Sequence, residues 1–139
     1  MSEKTIEQRR AANALERVQQ LNRKPENFKK LYRAYVDRLG PAIVMNGLGQ
    51  ALAATWAAAS QNPENERQNA HHELYQSMQG WLTDRKGGVY HEGTDILQAI
   101  TNNDESQYLR AHAESIAWLK WHKKLCRALF PKGEEDSEK

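Results

Sequence analysis

The most informative spacing in this 139-residue sequence belongs to basic side chains near its end. Lys120, Lys123, Lys124 and Arg127 follow one another at i, i+3, i+4 and i+7, which places them along one side of an α-helix. Such a row can meet phosphates spaced along a nucleic-acid strand. It is also the usual composition of a solvated helix surface. Charge alone therefore leaves RNA or DNA binding and a plain polar surface both open.

Two tryptophans flank Lys120 in this row. An indole ring can stack on a nucleobase, and Trp118 and Trp121 are both close enough in sequence to do so beside the lysines. For Trp118 we expect packing in the core instead.

The histidines lack the spacing of a metal site. None of the five forms a His-x-x-x-His or Glu-x-x-His pair, which would bring two ligands to one helical face. We therefore expect surface histidines and no bound metal. The five are His71, His72, His91, His112 and His122.

Catalytic chemistry is equally hard to place. The Gly47-x-Gly49 pair follows no predicted strand and is not succeeded by Lys-Ser or Lys-Thr, so it is not a phosphate loop. Cys126 lies near Lys124 and Arg127, whose charges could lower its pKa, but we expect a buried or idle thiol. No nucleophile, base and orienting group can be placed together. The sequence predicts a protein that is not an enzyme and has no cofactor.

The net charge of +2 conceals an uneven distribution. Residues 1–38 hold ten Lys and Arg against five Asp and Glu, residues 39–117 hold four against nine, and residues 118–133 hold five against none. If the first and last helices lie side by side, the two basic ends form one cationic face.

The elements that must position these residues are helical, and they centre on one alanine-rich stretch. Ile43 to Ala59 has no charged residue and repeats its apolar side chains at helical spacing, which predicts a buried helix over residues 42–60. Gly40-Pro41 is expected to end the helix before it. Two glycines inside the stretch suggest that another backbone passes close by. Asn46 and Gln50 are expected to bond to a neighbouring helix or subunit.

The remaining pattern predicts five more helices. The first is capped near Ser2 to Thr5, the second begins at Pro25, the fourth runs to about Leu82, and the last ends near Phe130. Between them, Thr83 to Gly93 reads as a mobile surface loop. We predict an all-α, single-domain bundle of about six helices over residues 1–130, with a disordered acidic tail over residues 131–139.

Composition bounds the setting of this bundle. The mean hydropathy is −0.89 and no uncharged run is apolar enough for a membrane span, so we expect no membrane partner. We see no secretory signal, and a single cysteine cannot form an internal disulfide. These features predict a cytoplasmic protein.

Two blocks of sequence carry a resemblance to a known family. They are Tyr32-Arg33-Ala34-Tyr35 through Pro41-Ala42-Ile43 to Asn46-Gly47-Leu48-Gly49-Gln50-Ala51-Leu52-Ala53, and Tyr108-Leu109-Arg110-Ala111 with Glu114 and Ala117-Trp118-Leu119-Lys120-Trp121. They resemble the small helical subunit of type III-B CRISPR RNA-silencing complexes, the Cmr effectors. The two blocks cover about half of the chain and span its core.

The resemblance implies a non-catalytic subunit of an antiviral ribonucleoprotein. Several copies would stack along the duplex of guide CRISPR RNA and target RNA, while other subunits carry catalysis. Its partners would be those subunits, both RNAs and further copies of itself. Contacts would go to the RNA backbone, because guide pairing supplies specificity.

Two functions remain open on this basis. In the first, the chain is a scaffold that binds RNA backbone through a basic face. The alternative is a helical protein-protein adaptor without direct RNA contact, whose Trp and Tyr side chains fill a partner's groove. The candidate phosphate contacts are Arg10, Arg17, Lys29, Lys30, Arg33, Lys120, Lys123, Lys124 and Arg127.

Overall fold

Six α-helices account for most of residues 3–133, the part of the chain described by a computed structural model. No strand occurs among these residues, so the predicted all-α bundle is confirmed. Residues 131–133 follow the last helix, and the rest of the predicted tail lies outside the described residues. The helices are α1 Ile6–Leu21, α2 Glu26–Asn46, α3 Leu48–Ala59, α4 Glu66–Leu82, α5 Ile96–Asn102 and α6 Glu105–Leu129.

Short polar side chains fix where four of the helices begin. The Thr5 hydroxyl accepts a hydrogen bond from the Gln8 N–H at 3.1 Å, and the Gln8 side chain accepts one from the Thr5 N–H at 2.8 Å. This reciprocal pair is a capping box. Asn65, Asp95 and Asp104 accept in the same way from the N–H three residues later. Each cap satisfies a backbone donor that the first helical turn leaves unpaired.

The central helix predicted over residues 42–60 is in fact divided between α2 and α3. Our prediction that Gly40-Pro41 ends a helix was wrong, because α2 continues through both residues. Leu39 and Ile43, on either side of the proline, are buried, and their packing outweighs the hydrogen bond that proline removes. The chain turns instead at Gly47, whose φ of 88° and ψ of 157° only glycine adopts readily.

The α3 helix is less buried than its composition suggested. Its apolar side chains face the core on one side, whereas four alanines at positions 53, 54, 57 and 58 face solvent. Asn46 and Gln50, which we expected to be deep, are exposed. The expectation was wrong because alanine fits equally well on an exposed helical face, so a run of alanines does not distinguish buried from exposed sides.

A side chain, rather than a neighbouring backbone, approaches the two glycines. The Tyr108 hydroxyl accepts a hydrogen bond from the Gly49 N–H at 3.0 Å. The same oxygen lies 3.3 Å from the position a Cβ would take at Gly47. The α2–α3 turn is therefore fastened to α6.

The arrangement of α2 and α6 matters most for the basic residues. The Arg33 guanidinium donates to the Phe130 carbonyl oxygen at 3.0 Å, and Arg127 pairs with Asp37 at 3.2 Å. These contacts show that the two helices run antiparallel, with the start of α2 beside the end of α6. α1 packs on another side of α6, while α4 packs on α2 and α3. The two basic ends of the sequence are thus brought onto neighbouring helices.

The connection from Thr83 to Gly93 is more firmly packed than a solvent loop. The Tyr90 N–H donates to the Leu82 carbonyl at 2.9 Å, and the Tyr90 side chain is only 5% exposed. Gly87 lies against Trp81, where an added Cβ would be 2.3 Å from the ring. The prediction of a surface loop for this segment missed the buried tyrosine.

Candidate nucleic-acid interface

The basic row of α6 lies on the side of the helix that faces away from the core. His122 and Cys126 point inward and are buried, whereas Lys120 and Lys124, each two residues before one of them, are exposed. Lys123 is half-buried at the edge of the row, on the side toward α2. Three ammonium groups are therefore displayed within about one and a half helical turns, as the i, i+3, i+4 spacing requires.

Four lysines of the candidate set have no partner within residues 3–133. Neither a hydrogen bond nor an ion pair joins Lys30, Lys120, Lys123 or Lys124 to another described side chain or carbonyl. An ammonium group without such a contact can bind an external anion without first giving up a partner. These four are the cations most available for an external phosphate.

Two further candidates, Lys29 and Arg127, make exposed contacts that a ligand can displace. Lys29 lies 3.3 Å from the carbonyl oxygen of Asn22, whereas the bond from Arg33 to the end of α6 is partly buried. The Arg127 side chain remains 52% exposed while it pairs with Asp37. An ion pair this exposed contributes only about 0–1 kcal/mol, so Arg127 can exchange Asp37 for a phosphate.

Arg10 and Arg17, by contrast, are engaged between helices. Arg10 bonds twice to Glu114 of α6, with Nη2 3.0 Å from Oε1, and also to Glu7 at 2.6 Å. The hydrogen bond to Glu114 raises the pKa of Arg10 above its usual value. Because its side chain is only 18% exposed, Arg10 serves first to hold α1 against α6.

Arg17 is held in a similar way by α4. Its guanidinium donates to the Ser77 hydroxyl at 2.6 Å, to the Glu73 carboxylate at 2.7 Å and to the Glu73 carbonyl at 3.0 Å. The structure therefore does not bring Arg10 and Arg17 into the solvent-facing row of α6.

A buried polar network lies directly beneath the basic row. The Tyr32 hydroxyl is 2.6 Å from His122 Nε2 and 2.8 Å from the Ser77 hydroxyl, which also contacts Arg17. Burial lowers the pKa of His122 to about 3, so the ring is neutral, and a hydrogen bond joins its Nε2 to the Tyr32 hydroxyl. His122 thus adds no charge to the basic face; it helps to fix the rotation of α6.

We had expected His122 on the surface, but this prediction was wrong because the side chain is buried. It lies one turn after Trp118 and one turn before Cys126, within the apolar stripe of α6. That i, i+4, i+8 register was the available signal. Trp118, expected in the core, is buried, donates to Asn13 Oδ1 at 2.9 Å and stacks on His122 with 4.3 Å between ring centroids.

Residues 6–129 match the family model of the CRISPR-associated protein Cas_Cmr5. The chain belongs to the Cas_Cmr5 family. It is therefore a CRISPR-associated small subunit of the type III-B effector complex, as the resemblance in the two sequence blocks implied. No curated protein matches the chain.

The matched region of this Cas_Cmr5 chain includes the whole bundle and the basic row. Partnership with other subunits of a CRISPR effector follows from the family.

Within residues 3–133 no three His, Cys, Asp or Glu side chains are grouped so as to hold a metal ion. None of the described helices is long and apolar enough to cross a membrane. Burial raises the pKa of the Cys126 thiol, contrary to the lowering considered from its basic neighbours.

The Cas_Cmr5 chain also displays apolar side chains that the sequence reading had buried. Val44 and Met45, at the end of α2, are 68% and 82% exposed, and Leu109 of α6 is 59% exposed. We had placed Val44 inside the central helix. Because α2 continues to Asn46 and the chain turns at Gly47, the last turn of α2 exposes Val44 and Met45 to solvent. A groove of about 150 Å³ adjoins Val44, between α2 and α6.

Proposed function

We propose that this chain is a non-catalytic small subunit that contacts the RNA backbone in a CRISPR RNA-guided RNA-silencing complex. In this proposal several copies stack along the duplex of guide and target RNA, in the cytoplasm, as part of antiviral defence. Other subunits supply catalysis. The proposed contacts are Lys30, Lys120, Lys123, Lys124 and Arg127, with Lys29 and Arg33 at the edge of the same surface.

The single observation that carries the proposal is the state of the α6 lysines. Lys120, Lys123 and Lys124 project from α6, whose opposite side is buried in the core. None of the three has a hydrogen-bond or ion-pair partner within the described residues. Surface lysines that bind no ligand are commonly interspersed with acidic residues, but residues 118–133 contain no Asp or Glu. A local excess of unpaired positive charge attracts a polyanion and releases its counterions when it binds.

Backbone contact suits a complex in which base pairing reads sequence. Lysines bind phosphate as point charges and do not distinguish one base from another. A subunit of this kind can be used at every position along a duplex, because the phosphate spacing is the same for all sequences.

The acidic middle of the chain supports stacking of copies. Residues 39–117 carry nine Asp and Glu against four Lys and Arg, and Asp104, Glu105, Glu64 and Glu92 among them are exposed. An acidic surface on one copy complements a basic surface on the next, which favours head-to-tail association over random contact.

Buried titratable groups support a non-catalytic role. Burial raises the pKa values of Tyr32 and Cys126, so both stay protonated near neutral pH and neither is an activated nucleophile. His122 is neutral but enclosed, with 0% exposure, and cannot reach a substrate proton.

The test is the salt dependence of target-RNA binding by the reconstituted complex. Lys120→Ala/Lys124→Ala should lower the slope of log K against log salt by about 1.4–1.8 for each copy that contacts the RNA, since each lost phosphate contact accounts for about 0.7–0.9. The matched control is Arg67→Ala/Lys86→Ala, which removes two exposed cations from α4 and the following loop. An unchanged slope for the Lys120/Lys124 variant would contradict the proposal.

The adaptor function remains a second candidate because of the exposed apolar residues at the α2–α3 turn. Val44, Met45 and Leu109 are the kind of side chains that become buried when proteins associate. Met45→Ser should then impair assembly of the complex at any salt concentration. Photocrosslinking of labelled target RNA to the complex separates the two functions, since an adaptor alone gives no linked peptide from α6.

A further inference from the structure

A shallow depression adjoins the basic row on its α1 side. It has a volume of about 220 Å³ and is lined by Glu7, Ala117, Lys120, Trp121 and Lys124. A cavity of about 150 Å³ accommodates benzene, so this one has room for a single planar ring. No residue of the buried polar network lines the depression. The proposed binding of RNA backbone by lysines does not use the depression either.

The Trp121 indole forms one wall of the depression and is held in place. Trp121 is 37% exposed, whereas Trp118 is fully buried. The Trp121 Nε1–H donates to Glu7 Oε2 at 3.2 Å, and the other Glu7 oxygen is bonded to Arg10 at 2.6 Å. The orientation of the ring is therefore fixed by α1 before any ligand binds. Binding then loses little side-chain entropy in ordering the ring.

One face of the ring stays open because its neighbour on the helix is small. Side chains in an α-helix lean toward the preceding turn, and the residue one turn before Trp121 is Ala117. A larger residue at position 117 would cover the indole. The alanine leaves space next to a flat aromatic surface.

The charges around the depression differ between its rim and its wall. Lys120 and Lys124 line the depression without a hydrogen bond or ion pair to a described residue, and Glu7 contributes a carboxylate whose side chain is 59% exposed and whose pKa is lowered first by its hydrogen bonds to Arg10 and Trp121 and also by the nearby charge of Lys120. A phosphate or an acidic side chain entering the depression would meet Glu7. An uncharged planar group can enter while its anionic attachments stay on the two lysines.

We propose that this depression is a stacking site for one unpaired nucleobase, with Trp121 as the platform and Lys120 and Lys124 binding the flanking phosphates. The inference rests on the proposed RNA contact and extends it, because it assigns a contact to a base. A base inside an A-form duplex is covered on both faces by its neighbours. The ligand is therefore a single-stranded or splayed-out nucleotide.

The Glu7 carboxylate gives the site a chemical preference. A carboxylate accepts hydrogen bonds and does not donate them, so it suits a base that presents a donor, such as the exocyclic amino group of cytosine. Oligocytidylate is accordingly the probe of choice.

The experiment measures binding of labelled six-nucleotide oligocytidylate to the full chain at low salt by anisotropy. An abasic ribose-phosphate oligomer of equal charge should bind roughly fivefold to tenfold more weakly, the lower range for stacking of one base. Trp121→Leu should remove that difference, and Trp121→Phe should retain part of it. Circular dichroism on both variants confirms that they are folded.

Three outcomes would overturn the inference. Equal binding of the abasic oligomer, unaffected by Trp121→Leu, leaves phosphate contact as the whole interaction; the backbone proposal survives this result. Failure of oligocytidylate to bind at millimolar concentration also refutes a stacking site, whereas the backbone proposal is judged separately in the assembled complex. Quenching of Trp121 by an acidic peptide but not by RNA would assign the depression to a protein partner.

Discussion

Arg17 is a cation whose contacts lie within the fold, so replacing it distinguishes a structural role from the proposed role in RNA binding. Replacing it by alanine removes donors to the Ser77 hydroxyl and to two oxygens of Glu73. The Glu73 side chain, 20% exposed, would then be partly buried without a guanidinium partner. We expect Arg17→Ala to destabilise the chain and to leave RNA binding intact.

The magnitude follows from the geometry. A hydrogen bond to a charged group contributes about 1.5–3 kcal/mol, and breaking a fully buried ion pair costs about 3–5 kcal/mol. Because Arg17 and Glu73 are each about one-fifth exposed, water recovers part of this loss, and we expect about 2–3 kcal/mol in total. For a chain of this size that corresponds to a decrease in Tm of about 6–12 °C.

Urea unfolding and thermal melting measure the loss, with Arg23→Ala as the control. Arg23 is an exposed arginine in the α1–α2 turn, and its removal should change stability by less than about 0.5 kcal/mol. The complex carrying Arg17→Ala should keep the wild-type salt slope of RNA binding. A stability change as small as that of the control, or a slope reduced by about 0.7 or more, would refute the structural role of Arg17.

Two further predictions concern the turn and the buried histidine. Gly47→Ala should destabilise the chain by about 1–3 kcal/mol, because alanine is strained at this φ and its Cβ meets the Tyr108 hydroxyl; Gly40→Ala, with nothing within 4 Å, should be neutral or stabilising by denaturant unfolding. The pKa of His122 is about 3 when folded and near its ordinary 6.5 when unfolded, so below about pH 6.5 the unfolded chain binds an extra proton and stability falls by up to about 1.4 kcal/mol per pH unit. In urea titrations from pH 7 to pH 4, His122→Gln should be less pH-dependent than the wild type; equal dependence would mean that His122 is protonated in the folded protein.

The fold class and most helix ends could be predicted because they depend on local chemistry. Thr5 caps α1 and Pro25 precedes α2 as expected, since capping involves residues three or four apart. The break at Gly47 could not be read in the same way. Gly40-Pro41 and Gly47 are both plausible helix ends, and only the packing of α2 against its neighbours decides between them.

The basic face was predicted in outline, but its internal pairing was not. Spacing placed Lys120 and Lys124 on one side of a helix, as the structure has them. The partners of Arg10 and Arg17 lie 104 and 56 residues away in sequence. Contacts of that range arise from tertiary packing, so charge counting treated these arginines as free when they hold helices together.

The arginines and lysines of the candidate set differ in what they contact. Arg10, Arg17, Arg33 and Arg127 all donate to oxygen atoms of other helices or of the α6 end. Among the lysines of the set, Lys29 alone bonds to an oxygen atom within residues 3–133, that of Asn22 in the α1–α2 turn. A guanidinium is planar and weakly hydrated, so it readily forms several bonds to carboxylates and carbonyls within a fold, whereas an ammonium stays in water.

This division bears on what the surface can recognise. Bidentate recognition of a base edge requires a free guanidinium or amide, but Arg10, Arg17 and Arg33 are engaged within the fold and only the exposed Arg127 can exchange its partner. The other proposed contacts are lysines, which attract any phosphate and are screened by salt. A lysine row supported by a neutral His122 therefore suits sequence-independent contact with RNA backbone, and any preference among bases has to come from Glu7 and Trp121 at its edge.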